Sequence, residues 1–232
     1  MSEINLINGD CLEVMKEIKS NTIDLIITSP PYNLGKTHTT GNFRHSPYKD
    51  NLEETKYQEW QIKVLNECFR ILNKTGSLFY NHKNRIKEGT LLIPYSWIFK
   101  SKFNIRQEIV WFNGSQNFNK CRFYPMTERI YWLTKTKETK FFNKINHHDL
   151  FKWQAVGTGG EHKRAYPIKL VTDIIKCFPD SKLIFDPFTG SGTTAEACKR
   201  ENKNFIGSEI SKKYYELALR NIKTTVRQLE LF

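Results

Sequence analysis

One junction limits what this 232-residue chain can fold into more than any other stretch. The apolar run Ile23-Asp24-Leu25-Ile26-Ile27 passes directly into Thr28-Ser29-Pro30-Pro31-Tyr32. Such a run, without strict polar alternation, reads as a strand buried on both faces, the kind found inside a parallel sheet. Two prolines then end it. Proline fixes φ, restricts the residue before it and donates no N–H, so the backbone after the strand has few shapes. A stiff carbonyl, a serine hydroxyl and a tyrosine ring side by side are suited to gripping a planar group that bears an amino substituent.

The rest of the chain fits a sheet of that kind. Ile4 to Ile7, Ile23 to Thr28, Ser77 to Tyr80, Ile105 to Phe112, Arg129 to Thr134, Leu183 to Phe185 and Phe205 to Ile206 read as strands. Cys11 to Ile18 reads as a helix with Asp10 at its start. Lys56 to Leu72 carries Tyr57, Trp60, Val64, Leu65, Cys68 and Leu72 at helical spacing, with Gly76 as its stop. Leu91 to Phe99, Pro167 to Phe178, Thr193 to Glu201 and Lys212 to Val226 complete the helices, Pro167 occupying a first turn. Strands alternating with helices predict an α/β fold, a doubly wound and mostly parallel sheet with helices on both faces. The length suits a single domain, 1–232, without internal repeats. Residues 33 to 55 and 113 to 164 are polar, basic and aromatic tracts, and 33 to 52 has the length of a functional loop.

Composition narrows the partners. Lys and Arg number 36 against 24 Asp and Glu, giving a net charge of +12, which attracts phosphate polyanions. The five cysteines are odd in number and form no C-x-x-C pair, which argues against a disulfide scaffold or a zinc site. His147-His148-Asp149 tempts a metal reading, but adjacent histidines diverge in regular structure and no further ligand lies at metal spacing. No metal is expected. No stretch reaches membrane-spanning length and Met1-Ser2-Glu3 does not open a signal peptide, so a cytoplasmic protein is expected.

A second motif lies late in the chain, Asp186-Pro187-Phe188-Thr189-Gly190-Ser191-Gly192-Thr193-Thr194. It joins a strand to a helix through two glycines, which permit a tight turn and close approach of a ligand to the backbone. Glu209 follows after the next strand, about twenty residues on, where a carboxylate meets a ribose diol in nucleotide-binding folds. The G-x-G-x-x-G dinucleotide spacing is absent, and an ordinary tight turn remains the plain alternative. Asp186 suits an ammonium group and Phe188 an apolar contact beside a positive centre. S-adenosylmethionine meets all these requirements.

Together the two motifs resemble those of the amino-methyltransferases of DNA, which carry [DNS]-P-P-[YFW] and D-P-F-x-G-S-G-T segments on a Rossmann-like sheet. Their order here, proline motif first and glycine motif last, is similar to the circularly permuted β-group of restriction–modification methyltransferases. The resemblance implies that Asp10 and Cys11, in Asn8-Gly9-Asp10-Cys11, lie against the adenine of S-adenosylmethionine. It implies further cofactor contacts from Ser29, His162, Asp186, Pro187, Phe188, Gly190, Ser191, Gly192, Thr193, Thr194, Glu209 and Ile210. His162 to Pro167 resembles the family's H-x-x-x-F-P segment, with Tyr166 at the aromatic place and Lys163 where a proline is common.

In this chemistry the Ser29 hydroxyl and the Pro30 carbonyl would accept the two amino hydrogens of a flipped-out base, with Pro31 stiffening the turn and Tyr32 stacking on the ring. Serine in the first motif position and the H-x-x-x-[FY]-P form favour N4 of cytosine, with adenine N6 as the alternative. Double-stranded DNA is the expected partner. Lys36, Arg44, Asn117, Asn119, Lys120 and Arg122 are candidates for its contacts, a solvated polar face being the plain alternative. A cognate restriction endonuclease and a companion methyltransferase would be functional partners, and a homodimer is compatible with the resemblance. The rival from another class is a DNA-binding module without activity.

Overall fold

The computed structural model describes residues 2–35, 50–114, 120–143, 147–153 and 166–229. Its first half runs β1 (Ile4–Asn8), α1 (Cys11–Glu17), β2 (Ile23–Thr28), α2 (Glu54–Ile71), β3 (Leu72–His82), β4 (Arg85–Lys87), β5 (Thr90–Leu92) and α3 (Tyr95–Ile98). The second half runs β6 (Asn104–Phe112), β7 (Thr127–Thr134), β8 (Leu150–Phe151), α4 (Ile168–Lys176), β9 (Leu183–Asp186), α5 (Thr193–Arg200), β10 (Asn204–Glu209) and α6 (Lys212–Leu229). Eight strands form one sheet in the order β1-β10-β9-β2-β3-β7-β6-β8. The first five are mutually parallel, while β7 runs antiparallel to both β3 and β6.

Alternate residues of the central strands enter two separate cores. Leu25, Ile27, Phe79 and Ile184 pack with Leu170, Val171, Ala195, Cys198 and Ala218 of α4, α5 and α6. Ile26, Leu78, Tyr80 and Phe185 pack with Met15, Val64, Leu65, Ile71 and Trp97 of α1, α2 and α3. Helices thus cover both faces, which is why β2 reads as a continuous apolar run. Burying each of its large side chains is worth roughly 1.5–3 kcal/mol, so β2 is held to the middle of the sheet.

The connections set the position of the functional crevice. From β2 the chain crosses by α2 to β3 on one side; from β9 it crosses by α5 to β10 on the other. The adjacent strands β9 and β2 therefore mark the point where the winding reverses, and ligands of open α/β sheets bind outside the carboxyl ends there. Both sequence motifs stand at those ends.

Several expectations change. Gly76 does not stop α2. The helix ends at Ile71, where Leu72 is already extended (φ −64°, ψ 139°), and Gly76 lies inside β3. A Cβ there would stand 2.8 Å from the Asp24 carbonyl, so glycine serves close approach of two strands rather than helix termination. Leu91 to Phe99 is not one helix: β4 and β5 form a hairpin, and Pro94 caps the short α3. The two-residue strand β8 pairs with β6 and has no sequence signal. Lys36, Arg44, Asn117, Asn119 and His162 lie outside the described residues, as do most of 33–55 and much of 113–164. Among the described residues no helix is long and apolar enough to cross a membrane.

Candidate active site

The proline motif leaves β2 and is tied down by its neighbours. The Pro31 carbonyl accepts a bond from the Tyr57 hydroxyl of α2 at 2.7 Å, while among the described residues no bond is formed to the Pro30 carbonyl. Asn33 follows with φ 55°, and the Asp50 carboxylate accepts from the backbone N–H groups of Asn33 and Leu34 at 2.6 and 3.2 Å. Gly35 N–H also donates to the Asp50 carbonyl at 2.8 Å, so Gly35 and Asp50 are fastened together beside the motif.

Tyr57 is itself fixed. Gln61 donates to its hydroxyl at 2.8 Å, Tyr80 donates to Gln61, and Trp97 donates to Tyr80. Arg85, paired with both oxygens of Glu54 at 2.8 Å, stands 4.8 Å over the Tyr57 ring. The buried His82 completes the group: Nδ1 lies 2.8 Å from the Lys83 carbonyl, and Nε2 lies 2.7 Å from the Tyr57 hydroxyl. A carbonyl can only accept, so Nδ1 carries the proton, and Nε2 and the Pro31 carbonyl share the single Tyr57 hydroxyl proton as alternative acceptors. Burial pushes the His82 pKa down to about 3, keeping the ring neutral.

The Ser29 and Tyr32 side chains enter a second polar group. Ser29 Oγ and Tyr32 Oη are 2.7 Å apart, and Tyr32 donates to Glu128 Oε2 at 3.0 Å. Asn81 Nδ2 donates to Tyr32 Oη at 2.8 Å and to Glu128 Oε2 at 3.0 Å, and approaches Ser29 Oγ at 3.4 Å. Because β7 is antiparallel, its first residues sit at the same edge as the carboxyl end of β3, which brings Glu128 to this point. One face of the Tyr32 ring meets His82, with centroids 4.7 Å apart. Burial and the Glu128 charge push the Tyr32 phenol well above its ordinary pKa, so it stays protonated.

The glycine motif meets this site through one buried bond, Thr28 Oγ1 to Asp186 Oδ1 at 2.7 Å. Asp186 is fully buried and also accepts from Phe188 N, Thr194 Oγ1 and Tyr166 Oη. Gly190 and Gly192 both have positive φ, 55° and 97°, so the turn depends on them. Glu209 accepts from Gly190 N at 2.9 Å and from Ser211 N at 2.8 Å. Burial raises the pKa of both carboxyls, and among the described residues neither forms an ion pair. Two buried carboxylates without a cation, on adjacent strands flanking a glycine turn, fit a ligand that brings positive charge and hydroxyl donors.

The remaining cofactor candidates divide. Asp10 caps α1 by accepting from Leu12 N and Glu13 N, and Cys11 is buried, its thiol pushed up to about 12 chiefly by that burial. Pro187 offers its carbonyl to Ser208 Oγ, Ser191 its carbonyl to Asn221 Nδ2, and Phe188 meets Trp60 edge-on at 5.5 Å. Thr193 opens α5, and Ile210 is exposed just beyond Glu209. Of the DNA candidates, Lys120 and Arg122 are exposed on the stretch leading into β7, beside the almost fully exposed Phe123. Sequence reasoning missed Tyr57, Asn81, His82 and Glu128. A run of polar residues at the carboxyl end of an otherwise aromatic strand, Asn81-His82, was the available signal.

Known proteins resemble the chain as a whole. The family model N6_N4_Mtase, described as DNA methylase, matches residues 23–220. The chain belongs to this DNA methylase family. Proteins similar to it include the type II methyltransferase M.BglII of Bacillus subtilis, 29% identical over 91% of this chain and 66% of that protein. The DNA adenine methyltransferase YhdJ of Escherichia coli K12 is 26% identical over 94% of this chain and 82% of that protein. The fold is the Rossmann-like one of S-adenosylmethionine-dependent methyltransferases. The PvuII DNA methyltransferase (cytosine-N4-specific) superposes with a TM-score of 0.79, at 21% identity, over 98% of this chain and 93% of that one. M1.HpyAVI, solved with S-adenosylmethionine, gives 0.63 at 23% identity, over 94% and 99%.

Proposed function

We propose that this DNA methylase transfers a methyl group to the N4 amino nitrogen of a cytosine flipped out of double-stranded DNA, as part of a restriction–modification system. The observation that carries this reading is the Thr28–Asp186 bond, which joins the acceptor motif to the carboxylate-and-glycine turn at the reversal point of the sheet. Serine at the first motif position, and the likeness in fold to the PvuII DNA methyltransferase (cytosine-N4-specific), favour cytosine over adenine. The adenine reading has its own support in the similarity to YhdJ.

S-adenosylmethionine supplies an electrophilic methyl group on a sulfonium sulfur. Glu209 holds the ribose hydroxyls, and Asp10 and Cys11 border the adenine. Asp186, held in place by Thr28, Phe188, Thr194 and Tyr166, would meet the ammonium. Ser29 Oγ and the Pro30 carbonyl accept the two amino hydrogens of the base. These acceptors draw the nitrogen lone pair out of the ring and favour the pyramidal nitrogen of the transition state. The face of Tyr32 opposite His82 stacks on the base, worth roughly 1–3 kcal/mol. Lys120 and Arg122, exposed on the stretch leading into β7, would contact the duplex.

The test is incorporation of labelled methyl groups into duplex DNA by the wild-type protein, Ser29→Ala and Asp186→Asn. Ser29→Ala should bind S-adenosylmethionine with nearly unchanged affinity and lose turnover, whereas Asp186→Asn should lose affinity. Full turnover by Ser29→Ala contradicts the mechanism.

A further inference from the structure

The hydrogen-bond directions around Ser29 point to a proton relay, and we infer that Ser29, Tyr32 and Glu128 carry the proton released by the methylated amino group out to solvent. The inference rests on the reading of Ser29 as the acceptor of the base. A phenol has one proton. Tyr32 gives it to the Glu128 carboxylate at 3.0 Å, so in the 2.7 Å contact between Ser29 and Tyr32 the serine must be the donor. Asn81 enforces the same direction, because its amide N–H groups face Tyr32 Oη and Glu128 Oε2. The reverse orientation would set the amide oxygen against a carboxylate oxygen at 3.0 Å.

With its own proton directed towards Tyr32, Ser29 Oγ turns lone pairs to the base. Asn81 Oδ1, buried and without a partner among the described residues, is a further acceptor beside it. Glu128 is the natural end of the chain. Its neighbour Arg129 is paired with Glu108 at 3.0 Å, so Glu128 keeps an acceptor charge that the guanidinium does not neutralise. Asn113 Nδ2 supports its other oxygen at 3.3 Å. The carboxylate is half-buried, within reach of water.

The steps balance. As the amino nitrogen bonds to the methyl carbon, the electrons of the methyl–sulfur bond stay with sulfur, and one N–H bond of the increasingly cationic nitrogen weakens in the same transition state. That N–H bond breaks, its electron pair returning to nitrogen, and the proton passes to Ser29 Oγ. The serine proton passes to Tyr32 Oη, and the tyrosine proton to Glu128, which releases it to water. Burial and the Glu128 charge hold the Tyr32 phenol above its usual range, so the ring transmits the proton without ionising. Ser29 is the catalytic residue; Tyr32 through its hydroxyl and Glu128 act through it as positioning residues.

The test compares Tyr32→Phe, Glu128→Gln and the double variant with Ser29→Ala in single-turnover methylation across pH. Tyr32→Phe and Glu128→Gln should each lower the rate by about 10²-fold, the lower edge of what positioned proton transfer supplies, with KM for DNA nearly unchanged. The double variant should lose no more than either, because the groups act as one unit. Without any turnover, ultraviolet titration should find one phenol, absent in Tyr32→Phe, that ionises at lower pH in Glu128→Gln than in the wild type. Wild-type rates in both variants, with Ser29→Ala inactive, would overturn the relay and leave the reading of Ser29 standing. Multiplicative losses in the double variant would also overturn it. Full activity of Ser29→Ala would overturn both.

Discussion

Acidification should destabilise this fold through His82, by an amount set by its burial. The ring is fully buried, with its pKa lowered from 6.5 to about 3 mainly by desolvation. In the unfolded chain the imidazole takes a proton below about pH 6.5, whereas the folded protein refuses it until about pH 3, so stability falls as pH drops through that window. Each pH unit within it is worth about 1.36 kcal/mol, so moving from about pH 7.5 to about pH 5 should cost about 2 kcal/mol from this group alone. Urea denaturation of the wild type and His82→Gln at both pH values isolates the term. Asp186 and Glu209, raised by burial, titrate in both proteins and cancel in the comparison. The variant's loss of stability on acidification should be smaller by about 2 kcal/mol. Equal losses would refute the neutral, buried imidazole and with it the proton assignment at Tyr57.

Three further outcomes follow from single contacts. Thr28→Val keeps the volume but removes a donor from a buried carboxylate, and should cost about 1.5–3 kcal/mol in urea denaturation and weaken S-adenosylmethionine binding in calorimetry. Gly192→Ala places a Cβ 3.1 Å from Ala218 at φ 97°, and should cost about 1–3 kcal/mol, read as a lower melting temperature; an unchanged one refutes the strained turn. Arg122→Ala should leave melting unchanged and reduce the slope of log affinity against log salt for duplex DNA by about one; an unchanged slope removes Arg122 from the phosphate contacts.

How much was legible in the sequence depended on the range of the interactions involved. The central strand Ile23–Thr28 and the turn from Asp186 to Thr194 stand where expected, because burial on both faces and glycine at positive φ leave local marks. Gly76 misled for a physical reason: a glycine after an amphipathic run looks like a helix stop. Here it lets β3 pass the Asp24 carbonyl, a contact between residues 52 positions apart. Pro94 likewise gave no sign that a hairpin precedes it. In the candidate site, Ser29 and Tyr32 were readable because the motif is contiguous. Glu128 was not, since only the antiparallel pairing of β3 and β7 carries it to Tyr32. Asp186 shows a different gap. Its position was expected, but four protein donors around a fully buried carboxylate are a tertiary arrangement no spacing reports.

The most direct test of the account is nucleoside analysis by mass spectrometry of DNA from cells expressing this protein, beside DNA from cells expressing Ser29→Ala. The account predicts N4-methylcytosine in the first and none in the second. N6-methyladenine in its place would contradict the assignment of the base, and DNA free of either product would contradict the proposed amino-methylation itself.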